Sequence, residues 1–456
     1  MKRLPMTTWM LAALATFVGG CAAYRPANAR LEHWDPNYGY RPKVTQQERP
    51  MGDVLLVLSF SGGGTRAAAL SYGVLQELRD TRVVVGGVEK RLLDEVDMIT
   101  SVSGGSFTSA YYALYGDRIF QDFERRMLRR NLQRRILLDL LRPLNWIRMA
   151  STFFDRSELA VRLYDDQIFD HATFAELQAA HGPFVQINAT DLGGGNRFTF
   201  WQPQFDLICS DLSKLEVARA VTASSAVPGL FTPITLRNYA GQCGFESPAW
   251  LEEARVSTAS TRRRRNAEVM GQYVEGRRKY VHLVDGGISD NLGLRGPLDN
   301  ILLVGGLRQR FDQLGGARPA HIMVVVVNAE VHPEPRFTLT PASPSLALMI
   351  GAVSGVQIYS YNFETLELLR ESLKNWTNEI PPDAQGRRVQ TYVPEIAFET
   401  LADPQERAYF NELPTSFKLD DEQVDRLIEV GRRLLRQSPD FQRLLAALQP
   451  NAGSGP

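Results

Sequence analysis

Val54-Leu-Leu-Val-Leu-Ser-Phe60 is a near-continuous apolar run that stops at Ser61-Gly62-Gly63-Gly64-Thr65-Arg66. Apolar residues at helical spacing then run from Ala67 to Leu78. A strand without polar alternation has both faces covered, as in a parallel sheet flanked by helices. The same grammar recurs. An apolar run, Val96 to Val102, stops at Ser103-Gly104-Gly105 and leads into a helix-like stretch, Ser106 to Leu114. Tyr280-Val-His-Leu-Val284 ends in Asp285-Gly286-Gly287, and His321 to Asn328, with Met323-Val-Val-Val-Val327, reads as a central strand. These units predict an α/β fold with a mostly parallel central sheet, which holds its ligands at the carboxyl ends of the strands. Phe184-Val-Gln-Ile-Asn188 adds a strand, and Arg197 to Trp201 its hairpin partner.

Three consecutive glycines beside a helix N-terminus expose N–H groups that can hold an anion. Gly62-x-Gly64-x-x-Ala67 fits the dinucleotide pattern only loosely. That fingerprint also needs an acidic residue closing the next strand, and the candidate strand here, Arg82 to Val85, ends in Gly86-Gly87. A phosphate-binding P-loop is excluded, because no Gly-Lys-Ser/Thr follows. The remaining functional reading is an oxyanion hole for acyl transfer, with Gly62, Gly63 and Gly64 as donors. Ser103 at its strand-to-helix turn is then a candidate nucleophile, although a Ser-Gly-Gly loop has the same appearance. Asp285-Gly286 taken alone is also an ordinary turn sequence.

A serine hydroxyl needs a base to remove its proton. The histidines are His33, His171, His181, His282, His321 and His332, and none sits in a late catalytic loop of the kind a triad uses. Asp285 is left as the base. A carboxylate of ordinary pKa is weak in that role, so Asp285 must touch Ser103 directly.

The motifs resemble the patatin-like phospholipases. The resemblance rests on Ser61-Gly-Gly-Gly-Thr-Arg66, Ser103-Gly104-Gly105, Asp285-Gly286-Gly287, and the segment Ala223-Ser-Ser-Ala-Val-Pro228 through Phe231 and Pro233, over roughly residues 53 to 330. It implies a three-layer α/β/α domain with a helical cap insertion. It also implies a Ser103–Asp285 dyad, hydrolysis of lipid acyl esters as by a phospholipase A or lysophospholipase, and no metal or other cofactor. The family writes its serine motif G-x-S-x-G, and this chain carries Ser101 at the first glycine. Arg66, beside the oxyanion loop, either contacts a lipid phosphate or buttresses the loop.

Outside the motifs, Met1-Lys2-Arg3 followed by the apolar run Trp9 to Val18 and Val18-Gly19-Gly20-Cys21 is similar to a bacterial lipoprotein signal. This predicts a signal peptide over 1–20, a lipidated Cys21, and a flexible tether over 21–50 rich in Pro, Asn, Gln and Arg. Ala22 in place of Asp is similar to the signal that lets such a protein reach the outer membrane. The catalytic domain is expected over 51–450, with a helical cap at 118–177 and a charged, exposed insertion at 246–279. A final helix, Asp420 to Leu448, precedes a disordered tail at 451–456. In the cap, Arg125-Arg126, Arg129-Arg130, Arg134-Arg135, Arg142 and Arg148 alternate with apolar residues up to Trp146 and Ile147. Such a helix packs as a cap with solvated arginines, or docks on a membrane, or both.

The 456 residues carry formal net charge +0, so nothing global points to a nucleic-acid partner. With 3 cysteines, neither a disulfide-rich scaffold nor a multi-cysteine metal site is possible. Cys209 and Cys243 pair, or remain two buried thiols.

Overall fold

The computed structural model describes Pro26 and residues 28–449, apart from 51, 142–154, 259, 316–317, 334–335, 340, 342 and 384. Cys21, the signal segment, Arg142, Trp146, Ile147, Arg148 and the 451–456 tail lie outside the described residues. The central sheet has nine strands. In chain order they are β1 (Val54–Phe60), β2 (Val96–Val102), β3 (Phe184–Asp191), β4 (Asn196–Phe200), β5 (Ile234–Arg237), β6 (Tyr280–Val284), β7 (His321–Asn328), β8 (Gln390–Tyr392) and β9 (Glu395–Ala397). Their order is β8-β7-β1-β2-β3-β6-β5, with β9 also on β7 and β4 on β3. The pairs from β8 to β3 are parallel; β3–β6, β6–β5 and β3–β4 are antiparallel.

The unbroken apolar runs have a direct explanation. Leu56, Leu58 and Phe60 of β1 enter one core with Met323, Val325 and Val327 of β7. Their neighbours Leu55 and Val57 pack with Ile322, Val324 and Val326 on the opposite face. Successive strand side chains alternate faces, so both faces must be apolar. The first face is covered by α1 (Thr65–Asp80), α2 (Gly104–Tyr115), α4 (Val217–Ser224) and α9 (Asp421–Gln437), and the second by α7 (Arg295–Leu303) and α8 (Leu346–Glu379). Between them in sequence lie α3 (Leu132–Leu141), α5 (Thr261–Val274) and α6 (Gly287–Asp290), and α10 (Pro439–Leu448) closes the described chain. This is a three-layer α/β/α sandwich with a mostly parallel sheet.

The strand at Arg82–Val85 pairs only with Val88–Arg91, in a separate two-stranded ribbon. The sheet strand that follows α1 is β2, parallel to β1, and it ends at Val102 before Ser103 with no acidic residue there, so the dinucleotide-binding alternative lacks the ribose ligand it requires.

Three further expectations are corrected, and the open alternative for Cys209 and Cys243 is decided. The tether is docked from Asn28 onward: Ala29–Arg30 pairs with Ser210–Asp211, and Asn28, Leu31, Tyr40 and Arg41 are buried. Arg41 meets Asp206 in a buried ion pair of 3.0 Å. Cys209 and Cys243 form a disulfide whose Cα atoms lie 5.5 Å apart, and Leu31 and Trp34 pack against it. The insertion at 246–279 is exposed only in part. It forms helix Ala249–Arg255 and α5, which bury Leu251, Ala254 and Ala267 against Leu303 and place Tyr273 in the main core. The final helix is two helices, broken at Ser438, because Pro439 has no N–H to continue the first.

The cap region from 118 is helical, and Phe123, Met127, Leu128, Leu132 and Ile136 are buried in the main core. Arg126 pairs with Asp170 at 2.8 Å and Arg129 with Asp425 at 2.6 Å. Leu137 and Leu138 are exposed. No described helix is long and apolar enough to cross a membrane.

Candidate active site

The chain leaves β2 at Val102, turns at Ser103 and enters α2 at Gly104. Ser103 has φ 49 and ψ −119, a backbone state that non-glycine residues rarely adopt. Holding it there costs about 1–3 kcal/mol, a cost typically met at functional sites. The reward is placement: the Ser103 side chain sits at the N-terminus of α2, where free amides and the helix dipole favour negative charge. The amide of Gly104, first in the helix, points nowhere else among the described residues.

The glycines of this turn answer to the triple-glycine loop after β1. A Cβ on Gly104 would stand 2.0 Å from the Gly64 carbonyl oxygen, so only glycine lets the two loops touch. A Cβ on Gly62 would lie 2.6 Å from Asn291 Oδ1 and 3.4 Å from Ser103 Cβ. The triple-glycine loop therefore lies directly against the serine. Its amides are not equivalent. Gly62 N–H donates to the Asn291 carbonyl at 3.0 Å, so the expectation of three free donors is corrected. Register with the loop after β6 occupies Gly62. Gly63 and Gly64 N–H have no acceptor among the described residues.

Asp285 follows β6; its carboxylate accepts Gly287 N–H at 2.8 Å and has the Ser103 hydroxyl as its neighbouring side-chain partner. Ser103 is 5% exposed and Asp285 8%. Burial pushes the Asp285 pKa up to about 6, against the opposing pull of the Gly287 amide and the Ser103 hydroxyl. A carboxylate so placed is a stronger base than an ordinary aspartate yet still ionised at neutral pH. None of the histidines takes this position. His282, inside β6, meets Thr235, and His321 at the start of β7 meets Tyr392.

The segment Ala223–Ala226 joins the two loops. Ser224 Oγ accepts Ser103 N–H at 2.8 Å and donates to the Asn188 carbonyl at 2.6 Å. The Ser224 carbonyl accepts Gly286 N–H and the Ala226 carbonyl accepts Asp285 N–H, both at 3.0 Å. Thr190 Oγ1 donates to the Asp285 carbonyl at 2.8 Å. Ser224, Thr190 and Asn291 are thus site residues without an assigned role in the sequence reading. The only signal for them was the Ala223–Pro228 segment, which carries Ser224.

Ser101, in place of the expected glycine, fits the turn. It is fully buried, and its Oγ accepts from Ser109 at 2.7 Å and from Ser106 at 3.2 Å. Strand and helix are close enough there for hydroxyl-to-hydroxyl contact.

Arg66 is only 3% exposed. It donates to the carbonyls of Ala329 (2.8 Å) and Leu413 (2.7 Å) and to Thr415 Oγ1 (3.0 Å). Thr65 N–H adds a bond to the Ser416 carbonyl at 2.9 Å. Arg66 fastens the triple-glycine loop to the 413–416 segment, and burial lowers its pKa to about 10. With the guanidinium bound to protein oxygens, the lipid-phosphate alternative gives way to the buttress.

A serine beside a buried carboxylate, at the carboxyl edge of an α/β/α sheet, is the arrangement of a serine hydrolase. The family model described as patatin-like phospholipase matches residues 58–298, more than half of the chain. The chain belongs to the patatin-like phospholipase family. No curated protein sequence matches it significantly. Among solved structures it is similar to human GIVD cytosolic phospholipase A2, with 12% identity and a TM-score of 0.43 over 89% of this chain and 64% of that one. The same enzyme in complex with methyl gamma-linolenyl fluorophosphonate matches with 12% identity and a TM-score of 0.43, over 89% of this chain and 62% of that one. The chain therefore spans less than two thirds of the length of these structures.

Proposed function

We propose that this protein hydrolyses acyl esters of lipids with Ser103 as nucleophile and Asp285 as the only side-chain base. The observation that carries this reading is the buried Asp285 carboxylate beside the Ser103 hydroxyl, in a site almost closed to solvent. Asp285 takes the hydroxyl proton as Ser103 Oγ attacks the ester carbonyl. The oxyanion that forms is met by amides of Gly63, Gly64 and Gly104, each contributing a few kcal/mol of transition-state stabilisation. Asp285 then gives the proton to the departing alkoxide, leaving an acyl group on Ser103. Water, deprotonated by Asp285, releases it by the reverse steps. Val227, Leu230 and Ile288 are exposed apolar residues on the segments that carry Ser224 and Asp285, and they offer an acyl chain an apolar approach.

Lipidation of Cys21 would hold the enzyme on a bacterial membrane, with the outer membrane as our assignment. Leu137 and Leu138, beside Arg134 and Arg135 on α3, are the cap residues that would touch that membrane.

The deciding experiment is labelling by a fluorophosphonate probe, with wild type and Ser103→Ala assayed in parallel on phospholipids, lysophospholipids and neutral esters. Stoichiometric labelling that maps to Ser103, and ester hydrolysis lost in the variant, support the proposal. A folded protein that is not labelled is a lipid-binding protein on a hydrolase fold.

A further inference from the structure

The run Arg262 to Arg265 has no part in the chemistry above. In the fold it is divided. Arg263 donates to the Leu303 carbonyl at 3.1 Å and Arg264 reaches Glu268 at 3.8 Å, while Arg262 and Arg265 turn into a cavity of about 510 Å³. This volume lies within the usual range for small-molecule sites. The cavity lies between α5, α7, the β3–β4 turn and Tyr361 of α8, and Arg197 and Arg295 join its lining.

Its charge is unbalanced. Arg197 (3.2 Å) and Arg262 (2.9 Å) share the single carboxylate of Asp299. Arg295 stacks on the Tyr361 ring at 3.7 Å and donates to Thr365 Oγ1 at 2.8 Å. The buried Asp290 carboxylate, which accepts Arg295 N–H at 2.8 Å, is a second negative group near Arg197 and Arg295, and Arg265 has no ion pair among the described residues. Two amide atoms of lining residues are buried without a partner: Asn266 Nδ2 has no acceptor and Asn196 Oδ1 no donor, although Asn196 Nδ2 donates to Tyr273 Oη and the Arg197 carbonyl at 3.2 Å. Unpaired buried polar atoms are uncommon and call for a partner. Guanidinium groups converging on a concave site suit phosphate oxygens, and Asn266 Nδ2 is a further donor to them. Asn196 Oδ1 asks for a hydroxyl donor.

We infer that this cavity binds a polyol phosphate, with the phosphate on Arg262, Arg265 and Asn266 and a hydroxyl on Asn196. The site is separate from the acyl site but adjoins it. Ser289 lines the cavity, and its hydroxyl lies 2.8 Å from Thr190 Oγ1, which holds the Asp285 carbonyl. The phosphate can belong to a free metabolite or to a lipid headgroup.

The test is calorimetric titration of the full chain with sn-glycerol 3-phosphate, with glycerol as control. Arg265→Glu removes a lining charge at an exposed residue, and Arg264→Glu makes the same change on the same helix outside the cavity. Saturable binding of the phosphate but not of glycerol, weakened at least about tenfold by Arg265→Glu and unchanged by Arg264→Glu, is expected. Cosedimentation of the Ser103→Ala protein, with and without each arginine change, with phosphatidylglycerol or phosphatidylcholine vesicles separates the two sources. Selective loss on phosphatidylglycerol with Arg265→Glu marks a headgroup site, whereas binding of the soluble phosphate alone marks a metabolite site. No Arg265-dependent binding of either, or equal loss with Arg264→Glu, overturns the inference.

Discussion

The Ser224 hydroxyl accepts the backbone N–H of Ser103 at 2.8 Å, although 121 residues separate them in the chain. The same residue's carbonyl accepts Gly286 N–H at 3.0 Å. One buried serine therefore sets the height of Ser103, the proposed nucleophile, and of the loop carrying Asp285, its proposed base. Ser224→Ala leaves Ser103 N–H without a partner at a strained turn, at a cost of about 1–3 kcal/mol in stability. Measured well below its melting temperature, the folded variant should lose kcat about tenfold or more while KM stays near wild type. Unchanged kcat with only a lower melting temperature would reduce Ser224 to a packing residue.

Asp285 predicts opposite effects on activity and stability. An aspartate in an unfolded chain titrates near 3.8, and in this fold near 6. Between those values the folded state keeps its proton longer, so the contribution of Asp285 to stability falls as pH rises through that window. Asp285→Asn carries no charge to desolvate. It should match wild-type stability near pH 4 and exceed it above pH 7, by up to about 3 kcal/mol from a shift of roughly two pKa units. Activity runs the other way: wild-type kcat/KM should drop on the acid side with a midpoint near 6, and Asp285→Asn should lose about 10²–10⁴-fold. Denaturant melts of both proteins at several pH values, beside the pH–rate curve, check this. A variant less stable than wild type at pH 8 contradicts the burial argument.

Why the candidate pair was legible in the sequence, and its support was not, follows from the range of the interactions. Ser103 and Asp285 each sit at the end of an apolar strand before paired glycines, and that local pattern survives in one dimension. Which glycine amide stays free depends on register between distant loops: Gly62 is occupied by Asn291, more than 200 residues away. The docked start of the chain is equally non-local. Asn28 to Arg41 are polar enough to read as a linker, but their partners, Arg237, Ser210 and Asp206, lie far along the chain. The serine at 101 departed from the family motif, and only the positions of Ser106 and Ser109 explain why a hydroxyl fits there.

Gly104→Ala tests the contact between the two loops. The new methyl would meet the Gly64 carbonyl at 2.0 Å, against backbone that cannot rotate aside. The oxyanion loop must move away from the serine, and activity should fall by at least about a hundredfold, the loss typical of one misplaced donor. Fluorophosphonate labelling should slow in parallel. Labelling at the wild-type rate would show that Gly63 and Gly64 do not serve the oxyanion.

Arg66 separates a buttress from a headgroup ligand. Arg66→Ala strands the Ala329 and Leu413 carbonyls and Thr415 Oγ1 in the interior and empties the space between them. Such losses amount to about 3 kcal/mol or more of stability. The effect on turnover should be the same for a phospholipid and for a neutral ester of equal chain length, because the guanidinium faces protein oxygens and not the substrate. A selective loss on the phospholipid, with stability intact, would return Arg66 to the binding site.

The disulfide gives the last prediction. Cys209 and Cys243 are separated by 34 positions, and their carbonyls accept the N–H groups of Leu31 and Trp34 at 2.8 and 2.9 Å. The bridge thus closes its own loop and clamps the start of the folded chain. For a loop of that length, the chain-entropy account assigns about 4 kcal/mol. Cys243→Ser, or reduction of the purified protein, should lower stability by that order and expose the 28–41 segment to proteolysis first. Turnover at low temperature should hardly change, because neither cysteine adjoins Ser103 or Asp285 in the fold. Proteolytic cleavage starting elsewhere would mean that the β-bridge to Ser210 and the Arg41–Asp206 ion pair hold the segment without the disulfide.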